Sequence, residues 1–323
     1  MKRCCLYLLI LIGISFFSDA KAKTSDAVTA FKGSDPAVRY IGRTLISDGS
    51  VAFDWVGTYL ETRFTGGRLS VKVTETGISY YNVFVDNKLH RVVKVCGTDT
   101  LINMVSGVDK RVHRLRIQKR SEGEFGKTTI HQFVLSGSGR LLEEPVQRTR
   151  HIEFIGNSLT CGYGTEGKDR DAPFLVETEN CNLTFAAMIA RYYDADYTLI
   201  AHSGRGVVRN YGDSVRVSKI TMKDRMLNTF DEDLICKWNF TEYRPDLVVI
   251  NLGSNDFSTE PHPYKDEFIK AYKQIISQLR ERYGDIPVLC IYPVAIQAPV
   301  YSYYESMVAE LNDSKVFLLK LKE

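Results

Sequence analysis

The sequence of 323 residues has room for about two domains. Its hydrophobic share of 44% and charged share of 25% are those of a globular chain, which excludes a disordered or fibrous one. A formal net charge of +3 is too small to point to a nucleic-acid partner.

The N-terminus reads as a targeting segment. Lys2 and Arg3 precede an apolar run from Leu6 to Phe17. Ser18-Asp19-Ala20 and Ala20-Lys21-Ala22 offer small-residue cleavage sites. A signal peptide over residues 1–22 and a secreted or periplasmic protein are expected, the alternative being an uncleaved anchor. No later segment is apolar enough to span a membrane, so no membrane partner is expected after cleavage. The cysteines beyond the leader, Cys96, Cys161, Cys181, Cys236 and Cys290, are irregularly spaced. They form neither a zinc pattern nor a disulfide framework, and a meeting of Cys161 with Cys181 stays open.

Residues 38–136 alternate apolar and polar positions in short runs such as "VRYIGRTLIS", "RLSVKVTET" and "HRLRIQKR". Turn signals at Asp48-Gly49, Gly66-Gly67, Asp86-Asn87, Gly97, Gly107 and Gly123 separate them. The pattern predicts an all-β sandwich, best built as a jelly roll, within a domain over 23–145. From residue 150 apolar strands alternate with helices. The strands are "HIEFIG", "DYTLIAHSG", "DLVVINLG", "IPVLCIYP" and "KVFLLKL", and helices are predicted over 184–193, 264–282 and 301–312. Such alternation predicts a parallel sheet buried on both faces, in a three-layer α/β domain over 146–323.

In an open parallel sheet, ligands bind beyond the carboxyl ends of the strands. Gly156-Asn157-Ser158 follows the first strand, Ser203-Gly204-Arg205-Gly206 the second, and Gly253-Ser254-Asn255-Asp256 the third. Each alone is an ordinary turn or cap. Together they fit acyl transfer, with Ser158 as nucleophile and an oxyanion hole from the Ser158 and Gly204 N–H groups and the Asn255 amide.

"GNSLT", "SGRG" and "NLGSNDF" resemble the first three blocks of the SGNH, or GDSL-like, hydrolases, which have a flavodoxin-like α/β fold. With "FDWVGTYLETRFTGGRLSV", "CGYGTEG" and "SGRGVVRNYGD", the resemblance from about residue 35 onward narrows to carbohydrate esterase family 2. It implies a jelly roll ahead of an SGNH domain. The implied activity is that of a secreted deacetylase acting on acetylated plant polysaccharides or oligosaccharides, as acetyl xylan esterases do. It assigns Ser158 as nucleophile and Ser158, Gly204 and Asn255 as oxyanion hole, with Gly206 as an alternative to Gly204. No metal or organic cofactor is implied. Asn157 stands where the family more often has aspartate.

The family's catalytic histidine follows the last strand. Here "KVFLLKLKE" closes the sequence, so the resemblance implies a C-terminally truncated domain without its histidine block. The general base is therefore unknown. His90, His113 and His131 fall in the β half and His151 at the wrong end of its strand, while His202 and His262 fall at the right end of theirs. His202 reads best as packed and His262 as a solvated loop residue; Asp256 reads as a cap or loop brace. An uncovered last strand is expected to expose apolar surface. Tyr163, Tyr211, Tyr292, Tyr301, Tyr303 and Tyr304 lie near the rim, the last three being the best sugar platforms. A non-catalytic carbohydrate-binding protein is the second reading. A lipase or peptidase lacks support because no Gly-x-Ser-x-Gly elbow is present.

Overall fold

The computed structural model describes residues 27–143, 147–294, 296 and 300–321; the expected signal peptide lies outside them.

Ten antiparallel strands form the N-terminal part: β1 (Val28–Lys32), β2 (Arg39–Ile41), β3 (Leu45–Ser47), β4 (Ser50–Phe53), β5 (Tyr59–Phe64), β6 (Leu69–Val85), β7 (Lys88–Val105), β8 (His113–Lys119), β9 (Thr128–Ser136) and β10 (Leu141–Leu142). The main path runs β10-β5-β8-β6-β9-β4-β3, with β1 on β9, β2 on β5 and β7 on β6. Period-two alternation puts Val51, Phe64, Val71, Val83, Phe133 and Leu135 into one apolar core. Two features depart from the sequence reading. Strand β1 lies ahead of the stretch read as strands, and its weakly patterned residues are ordered by pairing with β9. Gly97 does not end a strand: at φ +90° it sits opposite Glu75 at a register shift, a bulge inside the continuous strand β7.

The second part begins with β11 (Arg150–Gly156) and α1 (Ser158–Cys161). It continues through α2 (Phe185–Tyr192), β12 (Ala195–Ala201), α3 (Met222–Arg225) and β13 (Leu247–Asn251). It closes with α4 (Lys265–Tyr283), β14 (Val288–Tyr292), α5 (Tyr301–Leu311) and β15 (Val316–Lys320). The strands form a parallel sheet in the order β12-β11-β13-β14-β15. One face, carrying Ile155, Ile200, Ile250 and Val288, packs against α4 and α5 through Phe268, Tyr272, Ile275 and Met307. The other, carrying Phe154, Leu199 and Val249, packs against Ala186, Ala187 and Ala190 of α2. Burial on both faces explains the unbroken apolar runs.

The β domain completes both layers. Trp55 joins the α4 side, and Ile41, Val56 and Tyr59 join the α2 side. At the far end of the sheet, Phe317 and Leu319 of β15 stay 50% and 39% exposed. They pair beside Leu289 and Ile291, which face the α2 side.

Candidate active site

Strand β11 ends at Gly156, where a Cβ would lie 2.0 Å from Thr160 Oγ1, so only glycine lets the chain turn directly into α1. Asn157 is the N-cap of that turn. Its Oδ1 accepts the Leu159 N–H at 3.3 Å, and its Nδ2 donates to Ser254 Oγ at 2.9 Å. The amide serves both bonds because it carries an acceptor and a donor. Asn157 is fully buried, which makes it a structural link between the first and third strand ends. Ser158 is the first residue of the turn and is partly exposed. Its N–H is one of the orphan donors of a helix start.

The second strand end is held just as closely. His202 N–H donates to Gly156 O at 3.4 Å, and Arg205 N–H folds back to His202 O at 3.3 Å. Gly204 takes φ +75°, a conformation that L side chains resist. The Tyr211 N–H caps its carbonyl at 2.8 Å. The Gly204 N–H has no partner among the described residues. Gly206 is different: its N–H is taken by Asn210 Oδ1 at 3.3 Å, and a Cβ there would lie 2.0 Å from Arg209 O. Gly206 is therefore a packing glycine and is corrected out of the candidate oxyanion hole.

At the third end Asn255 is buried and donates from Nδ2 to Arg205 O at 2.8 Å, leaving the second amide hydrogen for a ligand. Asp256 is the expected loop brace. Its carboxylate accepts the N–H groups of Val207, Val208 and Arg209 at 2.6–3.1 Å. Burial pushes its pKa up to about 6, against those N–H bonds. Three bonds thus join the three strand ends pairwise: Asn157 to Ser254, His202 to Gly156, and Asn255 to Arg205. Sequence spacing brought Ser158, Gly204 and Asn255 to one rim, and this triangle holds their loops together.

Five histidine rings are engaged by other partners. His202 is buried, with Nδ1 on Asp231 at 2.7 Å and Nε2 at 3.7 Å from Glu124. Burial pulls its pKa down, but the Asp231 hydrogen bond and charge outweigh it and hold the imidazole above its usual value. It is a packed histidine. His262 sits half-exposed beside Glu260 at 3.3 Å. His151 bonds Thr198 Oγ1 at 2.9 Å and stacks on Tyr243, at the N-terminal end of β11. His113 lies between Asp86 and Asp109, and His131 bonds Ser50 and Thr74. Among the described residues the Ser158 hydroxyl has no hydrogen-bond partner.

Two aromatic expectations change. Tyr304 is fully buried, donates its O–H to Leu252 O at 2.7 Å and is core, not a platform. Tyr303 is half-buried against Phe257 and Phe268, and Tyr301 packs edge-on to Tyr292. The exposed rings near the rim are Tyr163 and Tyr211. Cys161 and Cys181 are both buried and both free. Sequence reasoning missed Glu122 and Asp231, two buried acids that grip the second strand end. Nothing in "SEGEF", which reads as a turn, signals such burial.

Residues 40–145 match the family model described as carbohydrate esterase 2 N-terminal, and residues 154–314 match the GDSL-like lipase/acylhydrolase family. A solved family two carbohydrate esterase from Clostridium thermocellum, in complex with cellohexaose, superposes with a TM-score of 0.81. It is 34% identical, with 88% of each chain covered. The chain belongs to carbohydrate esterase family 2. Among family relatives, a cellulase/esterase of Acetivibrio thermocellus is 36% identical over 257 residues, 79% of this chain. This chain spans 31% of that protein's length. An acetylxylan esterase / glucomannan deacetylase of Cellvibrio japonicus is 26% identical over 97% of this chain and 88% of its own.

Proposed function

We propose that this family 2 member is an exported serine esterase that removes O-acetyl groups from plant polysaccharides or their oligosaccharides. The observation that carries the reading is the pairwise bonding of the three loops that bear Ser158, Gly204 and Asn255. Ser158 Oγ attacks the acetyl carbonyl, and the carbonyl oxygen becomes an oxyanion. The Ser158 and Gly204 N–H groups and the free hydrogen of the Asn255 amide donate to it. Collapse breaks the bond from the acetyl carbon to the sugar oxygen, which takes up the proton given by the serine hydroxyl, and leaves an acetyl-serine that water then hydrolyses to acetate. The reading assigns no general base among the described histidines. The names of the Cellvibrio relatives favour acetylated xylan or glucomannan as substrate class. Export rests on the apolar leader over residues 1–22. We read the N-terminal antiparallel unit as a jelly-roll sandwich that supports the catalytic rim.

A second reading is a non-catalytic carbohydrate-binding protein, favoured by the absence of a described partner for the Ser158 hydroxyl. One experiment separates the two: hydrolysis of 4-nitrophenyl acetate and acetylated xylan by the chain, by Ser158→Ala and by Asn255→Ala. The esterase reading expects loss of all enzymatic turnover in Ser158→Ala. It expects a fall of roughly 100-fold in kcat for Asn255→Ala, the usual cost of one oxyanion donor. Wild-type turnover equal to that of Ser158→Ala, with xylan binding retained, establishes the second reading instead.

A further inference from the structure

The turn after β12 is gripped from outside its own domain. Glu122 sits in the β domain, just past the end of β8, and is fully buried. Its Oε2 accepts the Ser203 N–H at 2.6 Å, and its Oε1 accepts the Ser203 hydroxyl in a short hydrogen bond. Both oxygens of one carboxylate therefore hold one residue by main chain and side chain, in the two-point geometry that fixes orientation as well as distance. The Glu122 backbone is fixed in turn. Its N–H donates to Glu179 Oε2 at 2.9 Å, and its carbonyl accepts Lys119 Nζ at 2.8 Å. Burial, and then the neighbouring Glu122 carboxylate, push the Glu179 carboxyl well above the usual carboxylate range. The Cys161 thiol, at the end of α1, also lies beside these two acids, with ligand atoms within 4.8 Å.

Ser203 immediately precedes Gly204. The direction of the Gly204 N–H is set by the plane of the Ser203–Gly204 peptide, and Gly204 at φ +75° has no side chain to hold that plane. The bonds within the α/β domain fix the far side of the turn, through Tyr211 on the Gly204 carbonyl and Asn255 on the Arg205 carbonyl. The near side is held by Glu122.

We infer that Glu122 is a positioning residue: the β domain, through this carboxylate, aims the Gly204 N–H at the oxyanion. The inference rests on the serine-esterase reading for its kinetic consequence, and on geometry alone for its effect on the loop. The β domain is then part of the catalytic apparatus rather than an appended module.

The test uses the full chain with Glu122→Ala, Glu122→Gln and Ser203→Ala, beside wild type and Ser158→Ala. Glutamine keeps an oxygen for the Ser203 N–H and offers an amide hydrogen to the Ser203 hydroxyl, so it preserves the grip. With 4-nitrophenyl acetate, Glu122→Ala is expected to lower kcat by about 10- to 100-fold with KM within about twofold, as a misplaced donor does. Glu122→Gln is expected to stay within about fivefold of wild type, and Ser203→Ala to fall between them. Hydrogen–deuterium exchange over residues 203–205 gives a readout independent of turnover. It should speed up at least about tenfold in Glu122→Ala and not over β13. Unchanged exchange at 203–205, or a Glu122→Gln loss as large as that of Glu122→Ala, overturns the inference. A fall in melting temperature with unchanged kcat in the folded enzyme also overturns it, leaving a purely structural carboxylate. If Glu122→Ala does not fold, Glu122→Gln and Ser203→Ala carry the comparison. If wild type shows no turnover above Ser158→Ala, the esterase reading fails by itself, and the exchange measurement alone decides the role of Glu122.

Discussion

Asp54 is the clearest case of a single buried charge working against the fold. It is 1% exposed and accepts the Asp231 N–H at 2.8 Å across the domain boundary. Burial, then the negative charge of Asp231, pushes its pKa from 3.8 up to about 7. The folded state therefore binds this proton more tightly than the unfolded chain. The stability from Asp54 is complete at acid pH and is lost as pH rises from about 4 to about 7. His202, raised by Asp231 despite its burial, adds in the same sense, its contribution fading as pH climbs past 6.5. Asp54→Asn keeps an oxygen for the backbone donor and removes the titration. Denaturant unfolding between pH 4 and pH 8 is expected to show a flatter stability profile for this variant than for wild type, with the gain largest near pH 8. Parallel profiles would assign the pH dependence to other groups.

Among the elements, β15 stands apart. A strand inside a doubly covered parallel sheet buries both faces, as β12 does along its whole length. In β15, Val316 is buried while Phe317 and Leu319 are open on the α2 side. These two apolar side chains lie on a sheet-edge strand, where unpaired backbone groups also invite association. The variant carrying Phe317→Lys and Leu319→Lys is expected to sediment as monomer at concentrations where wild type self-associates. Equal sedimentation of the two would place any association elsewhere. The helices follow their sequence signals closely. Helices α2, α4 and α5 begin and end within about two residues of the apolar periodicity that predicts them. Gly97 failed as a turn signal for a local reason: a glycine opposite an extra residue relieves a bulge as readily as it forms a turn.

At the scale of the molecule, the β domain completes the two cores of the α/β domain. Arg43, 1% exposed, reaches from the β domain to the carbonyls of Met226 and Asn228 at 2.6 and 2.8 Å and to Glu153 at 3.4 Å. Glu153 also accepts the Tyr243 and Tyr283 hydroxyls at 2.5 and 2.9 Å. On the edge strand β12, Asp196 takes Arg39, Tyr59 and Arg148. With Trp55 filling the α4-side core and Ile41, Val56 and Tyr59 filling the α2-side core, the α/β domain has no closed apolar interior without the β domain. Calorimetry is expected to show one cooperative transition for the whole chain. Arg43→Ala should lower stability by about 3 kcal/mol or more, because it strands Glu153 as an unpaired buried charge. Two separated transitions, with only one moved by Arg43→Ala, would show that the domains unfold independently.

Much of this protein was legible in its residues. The change of rhythm near residue 150 marks two fold classes because side-chain period follows secondary structure, and burial on both faces forces continuous apolar strands. Glycine and small polar residues after three successive strands mark the rim because only they permit tight turns beside a ligand. The tertiary structure decided what depends on meeting partners distant in sequence. It removed Gly206 from the site by giving its N–H to Asn210, sent Tyr304 into the core, and turned His202 towards Asp231. Above all it brought Glu122, 81 positions away, onto Ser203. A carboxylate in a turn carries no sequence mark of burial, since its cost and its partners are set only when the two domains close on each other.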